Sequence, residues 1–293
     1  MTQVGVDKRP SSELLEPPPT RVLLALERVG ARASLRRALQ LARALHCELE
    51  VLRVAPALSV LERVERDRRR EQRRARAYLR ETKLWLASAL GEDEPQPGRV
   101  IVRSGKFANE VIDHAAARPG VALVVLAPEH WRMGSLATKV ARCTGLSVVV
   151  ARERSHGLGI LAATDLRSPD FPVLRQAARL GNALKASVTA LHNVEPLGTA
   201  SSDADPYEGL HEHERRLDDV ANALDGVMLP VVSEEVDPVI AIRKEATHRN
   251  VDLIVVGVHQ APWLERLFYG SVASRIVQLE RSSVVIVPMS DAF

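Results

Sequence analysis

Short apolar runs recur along this chain, and stretches of helical spacing separate them. Residues 22–26, 48–54, 99–103, 123–126 and 147–150 are too short for helices and rich in Val, Leu and Ile, so they read as strands. Between the first two, Leu35, Ala38, Leu39, Leu41, Ala42 and Leu45 recur on one side of a helix that Ser34 is placed to cap. Residues 58–90 contain no internal Gly or Pro and read as one long helix. Val111, Ile112 and Ala115 face inward from the next helix, and Gly134-Ser135 opens another. The order then begins again. Residues 159–164, 188–194, 228–236, 253–256 and 283–287 read as strands, with helices at 174–184, 208–224 and 240–249 and one opened by Gly270-Ser271. Gly257 is expected to stop the fourth of these strands and Pro288 to close the fifth.

The second set repeats the first. RVLLALE at 21–27 aligns with GILAATD at 159–165, and the segment from Leu41 to Pro56 aligns with the one from Leu180 to Pro196. The stretch from Ala122, ALVVLAPEHWRMGS, aligns with the stretch from Asp252 that leads to Gly270-Ser271. Strands alternating with helices predict parallel sheets covered on both faces. The expected architecture is α/β, two tandem doubly wound, mostly parallel five-stranded domains, at residues 21–152 and 158–290. The leader, residues 1–20, carries Pro17, Pro18 and Pro19 and is expected to be disordered.

Composition narrows the function classes. Aromatics are only 3% of 293 residues, too few for the stacking platforms of single-strand nucleic-acid binders. A net charge of +3 is too small and too dispersed for a strong nucleic-acid reader. The basic stretch at 62–83 holds ten Arg or Lys but five Asp or Glu, and reads as a solvated helix face. Cys47 and Cys143 form no CxxC pair; both are expected to be buried thiols, and the location expected from them is cytoplasmic. No apolar run is long enough for a transmembrane helix, so no membrane association is expected.

Candidate chemistry lies around residues 251–288. Two turns at the carboxyl end of one strand, one of them feeding a helix start, are the parts of an anion site. His259 sits beside Gly257, and His192 lies near the end of a strand by the same crevice. His211 and His213 are two apart on a helix and point to different faces, so no metal site is expected there. No Walker A, GxSxG, HExxH or GxGxxG motif is present, and no catalytic residue is assigned.

Together these residues resemble the universal stress protein family in a tandem form. Its ATP-binding members carry G-x2-G-x9-G-[ST], and the chain has Gly257, then Gln260 in place of the second glycine, then Gly270-Ser271 at the same spacing. The resemblance implies a ligand site in the second half, formed by Asp165, Val194, Gly257, His259, Gly270 and Ser271, with ATP as cofactor. It implies a stress-response protein with at most slow ATP hydrolysis. The alternative is an interaction protein that kept the fold and lost the ligand, since Gln resists the backbone conformation a glycine would allow. The first half has Ala127 for the first glycine, a loop too short to wrap a triphosphate, and Glu27 in the place of Asp165. It is expected to bind no nucleotide. In the family the terminal strands pair, which implies either an intramolecular pseudo-dimer or a homodimer.

Overall fold

The computed structural model describes residues 20–57, 68–91, 94–126, 133–153, 159–168, 170–194, 208–224, 228–259 and 272–289. In chain order the elements are β1 (Arg21–Leu26), α1 (Arg32–Ala44), β2 (Glu48–Pro56), α2 (Arg68–Ala89), β3 (Arg99–Gly105), α3 (Phe107–Ala116), β4 (Val121–Leu126), α4 (Met133–Thr144) and β5 (Val148–Val150). The second half follows with β6 (Gly159–Thr164), α5 (Pro172–Leu184), β7 (Val188–Asn193), α6 (Glu208–Ala223), β8 (Met228–Ser233), α7 (Pro238–His248), β9 (Val251–His259), α8 (Val272–Leu279) and β10 (Ser283–Met289).

All the strands join one ten-stranded sheet in the order β3-β2-β1-β4-β5-β10-β9-β6-β7-β8. Within each half every pairing is parallel. The halves meet at β5 and β10, which run antiparallel with Val150 opposite Val284, Val149 opposite Val285 and Val148 opposite Ile286. These six side chains are fully buried. Burying an aliphatic side chain of this size contributes about 1.5–3 kcal/mol, so either half alone would leave an apolar, unpaired edge in water. The intramolecular pairing is thus a consequence of what the two end strands are made of.

Helices cover both faces of the sheet. α1, α2, α5 and α6 share one apolar layer, and α3, α4, α7 and α8 share the other. Each layer continues without a break across the junction of the halves. On the second face α4 crosses α8 at very short range. A Cβ placed on the buried Gly134 would lie 2.6 Å from the carbonyl oxygen of Ser274, in the opposite half. Gly134 is therefore the residue that lets two helix backbones touch, a role independent of any ligand.

Several boundaries differ from the sequence reading. α1 starts at Arg32 with Ala31 as its cap, and no side chain caps it. Ser34 is inside the helix and buried, not its cap. β9 runs through Gly257 to His259, and β10 runs through Pro288 to Met289. Both extend because each supplies the other's partner, from Gly257 opposite Val287 to Met289 opposite His259. Beyond Ile286 β10 has no β5 neighbour, so Pro288 occupies a local edge, where a missing N–H is tolerated. Leu279, at the end of α8, is half exposed. Cys47 is partly buried, and burial raises its thiol pKa; Cys143 is exposed rather than buried. The expected leader, the start of the long helix, the first-half loop with Ala127, and Gln260 all lie outside the described residues.

Gly134→Ala tests the helix crossing. Alanine should raise helix propensity by about 1 kcal/mol, but overpacking against a fixed backbone costs about 1–3 kcal/mol. The expected outcome in urea denaturation is a net loss of stability. Lys139→Ala, on the exposed side of the same helix, should stay within about 0.5 kcal/mol of wild type. A gain in stability for Gly134→Ala would show that the two backbones do not approach this closely.

Candidate functional site

The sheet reverses its winding between β6 and β9. From β6 the chain passes over one face, through α5 and α6, to reach β7 and β8; it returns through α7 on the other face to β9. The strand ends at such a switch point splay the flanking loops apart and leave a crevice. Asp165 directly follows β6, and His259 is the last residue of β9 on one side of it. Val194 directly follows β7 on the other side. Three of the residues expected from the sequence are thereby placed along one rim by topology alone.

Asp165 and His259 meet. His259 Nε2 lies 3.6 Å from Asp165 Oδ2, with the two side chains 34% and 38% exposed. At that distance and exposure, water screens the pair and it contributes under about 1 kcal/mol to stability. Its significance is positional, since it brings a carboxylate and an imidazole together at the ends of β6 and β9. The other carboxylate oxygen, Oδ1, accepts the backbone N–H of Arg167 at 3.1 Å and fixes the turn. The carbonyl of His259 accepts from Arg142 Nε at 2.9 Å. Arg142 lies on α4, so the first half reaches across and holds the end of β9 in the second.

The turn after β6 is strained. Leu166, 2% exposed, has φ of 57°, and Phe171 has φ of 45°. Both are uncommon values for bulky side chains. Leu166 is held in place from two sides. Its N–H donates to Thr164 Oγ1 at 3.1 Å, and its carbonyl accepts from Arg216 of α6 at 3.0 Å. No sequence signal marks either residue as left-handed, because Leu and Phe are not the types that favour that region.

Behind the rim stands a pair of histidines. His192 of β7 is buried, and its Nδ1 lies 2.9 Å from the Thr164 carbonyl. A carbonyl only accepts, so Nδ1 carries the proton and Nε2 is left as an acceptor. Nε2 lies 3.1 Å from His213 Nδ1, which must then be the donor. Burial lowers the His192 pKa; His213 and Arg216 push the same way, while the Thr164 carbonyl and Asp165 oppose them. His211, as its spacing indicates, points elsewhere and meets Glu214 at 3.2 Å. Among the described residues no group of three His, Cys, Asp or Glu is arranged to hold a metal ion.

Gly257 has a different reason from the one its motif suggests. It lies within β9 and has no positive φ. A Cβ there would fall 2.3 Å from Met289 Sδ, so the missing side chain makes room for the methionine that ends β10. The expectation of a turn at Gly257 is corrected accordingly. Val194 donates its N–H to the Ser233 carbonyl at 2.8 Å, which commits that amide to β8. Gly270 and Ser271 lie outside the described residues; α8 begins immediately after them, at Val272.

In the first half the corresponding end strand is shorter. β5 ends at Val150 and β4 is described as far as Leu126, so the pairing of residues 257–259 against 287–289 has no counterpart among the described residues. Arg53 takes the place of His192 in the alignment. It is buried under α2, with its guanidinium 5.2 Å from the centre of the Tyr78 ring.

The family model for universal stress proteins matches the chain twice, over residues 19–152 and 159–288. Among solved structures, a universal stress protein from Archaeoglobus fulgidus DSM 4304 is similar over 94% of this chain and 98% of its own, with 14% identity and a TM-score of 0.67. A protein of unknown function from Pseudomonas aeruginosa PAO1 is similar over 92% of each chain, with 14% identity and a TM-score of 0.59. A universal stress protein from Archaeoglobus fulgidus in complex with dAMP covers 45% of this chain and 97% of its own, with 21% identity and a TM-score of 0.34. No curated protein matches. Two consecutive family matches, on two halves joined in a single α/β sheet, establish that the chain belongs to the universal stress protein family, in tandem form.

Proposed function

We propose that this is a stress-response protein whose second half binds an adenine nucleotide, with ATP as the leading ligand, in the crevice between β6 and β9. The observation that carries the reading is the meeting of Asp165 and His259 at the switch point. A carboxylate at the end of the first strand suits ribose hydroxyls, which donate to it. An imidazole on the opposite rim suits a phosphate or a ring nitrogen. Gly257, His259, Gly270 and Ser271 form the phosphate side in this reading, and Asp165 with Val194 forms the nucleoside side. The N–H groups at the start of the helix after Gly270 favour an anion.

The first half, residues 21–152, serves in this account as the structural partner of the second, residues 158–290. It contributes Arg142 to the rim and binds no nucleotide itself. Asp165 is the only described carboxylate this reading places at the ligand, and it is assigned to the sugar, so hydrolysis is expected to be slow or absent. The chain then acts by holding nucleotide, and no catalytic residue is named. A second reading, an interaction protein without a ligand, is favoured by one observation: the space beside Gly257 is already filled by Met289. Gln260 in place of the motif's second glycine points the same way.

Calorimetric titration with ATP and magnesium separates the two. Binding to wild type, weakened about tenfold or more by Asp165→Ala through the loss of a hydrogen bond to a charged acceptor, supports the nucleotide reading. No heat with wild type, and none gained with Gln260→Gly, leaves the interaction reading standing.

The histidine pair yields a pH prediction. His192 has its folded pKa pushed below the ordinary value by burial. As pH falls through the ordinary histidine range, about 6.5, the unfolded chain takes up a proton that folded His192 refuses. Stability therefore declines from there down toward the depressed folded pKa. His192→Gln keeps a polar side chain without a titrating ring. It should flatten this part of the stability-against-pH curve measured by thermal melting. An unchanged slope would contradict the neutral, buried state of His192.

A further inference from the structure

The buried ion pair between Arg37 and Asp252 joins the halves on the first helical face. Arg37, on α1, is 3% exposed, and Asp252, at the start of β9, is 7% exposed. The contact is bidentate: Arg37 Nη1 donates to Asp252 Oδ2 at 2.8 Å and Nη2 to Oδ1 at 2.8 Å. Nη1 also donates to Gln40 Oε1 at 2.9 Å. A fork facing a carboxylate in this way satisfies both charges with parallel hydrogen bonds.

The pair occurs once although the fold repeats. Asp252 occupies a register shift in β9, between the residues that pair with Gly159 and Ile160. Ala122 occupies the same shift in β4, between the residues that pair with Arg21 and Val22. The helices correspond likewise, Leu35, Ala38 and Leu41 of α1 with Leu174, Ala177 and Leu180 of α5, all buried. That alignment sets Gln176 in the place of Arg37. The symmetry-related position thus holds Gln and Ala, and Gln176 Nε2 is buried without a hydrogen-bond partner among the described residues.

We propose that Arg37 and Asp252 dictate which halves may join: a first half docks on a second half and is barred from docking on another first half. In that forbidden pairing, with the same geometry, each Arg37 would be buried against Ala122 of another copy. Two second halves would bury each Asp252 against a Gln176. A buried charge with no counter-charge is strongly unfavourable, whereas a pair replaced on both sides by neutral groups often is not. The strand edges at the seam do not discriminate. The end strands β5 and β10 both present Val-rich runs to each other, and these would pair with their own kind equally well. The charge pair supplies the asymmetry that the apolar edges lack, and so bars like halves of different chains from joining along the seam. The proposal does not rest on the nucleotide reading.

The test uses the full chain. Arg37→Gln with Asp252→Ala copies the Gln and Ala already present at the related position and makes the interface neutral and symmetric. After unfolding and refolding at a series of concentrations, light scattering coupled to size exclusion counts chains per particle. The wild type is expected to return to one distribution at all concentrations. The double variant is expected to populate additional multi-chain particles that grow with concentration, while its melting temperature stays closer to wild type than that of Arg37→Gln or Asp252→Ala alone. Arg37→Met with Asp252→Leu, which fills the same space with apolar groups, should behave as the first double variant does. If either double variant folds and keeps the wild-type chain count, the pair has no role in partner choice and the proposal is overturned. If neither double variant folds, the pair is needed for stability itself and the proposal is equally overturned.

Discussion

The structure depends on the antiparallel meeting of β5 and β10. Both are Val-rich strands at the end of a half, and neither has a charge or a proline within the paired segment. Such an edge in water is unstable on its own and prone to unwanted pairing. Placing two of them in one chain solves the problem internally. The consequence is a single sheet and two helical layers that continue across the junction.

Having joined, the two copies have not stayed equivalent. In the second half β9 and β10 extend each other past the end of the seam and raise a wall at the crevice. His192 and His213 stand behind the rim, and the strained turn at Leu166 is held by Arg216. In the first half the same places carry a shorter end strand, β5, and a buried Arg53 against Tyr78. Arg142 of the first half grips the end of β9, and Arg152 reaches from the junction to the carbonyl of Val277 on α8 at 2.5 Å. Both of these hydrogen bonds are donated by the first half to the second.

Much of the fold was legible in the sequence, because alternation of apolar runs with helical periods is a local property. The duplication and the order of elements follow from it, and Asp165 could be placed at a strand end by comparing RVLLALE with GILAATD. What escaped was set by distant contacts. Gly257 read as a turn glycine of an anion site, and Gly134 as the opening of a helix. One instead clears space for Met289 and the other for the backbone of Ser274, and both neighbours are remote in sequence. Pro288 did not close β10, because the strand beside it ends first. Arg37 and Asp252 are 215 residues apart, and no local pattern announces that an arginine on an otherwise apolar helix side and an aspartate in an apolar strand belong together. The helix-start glycine pairs were also poor evidence of function, since one of them has a sufficient explanation in packing.

The central claim is that the crevice at the ends of β6 and β9 holds a nucleotide and that its first-half counterpart does not. Amide hydrogen exchange, followed by mass spectrometry with and without ATP and magnesium, tests it at the level of individual segments. The account predicts slower exchange with nucleotide in the segments carrying Asp165, Leu166 and His259, and no change in the segment carrying Glu27. Equal protection of both halves, or protection in neither, would contradict it.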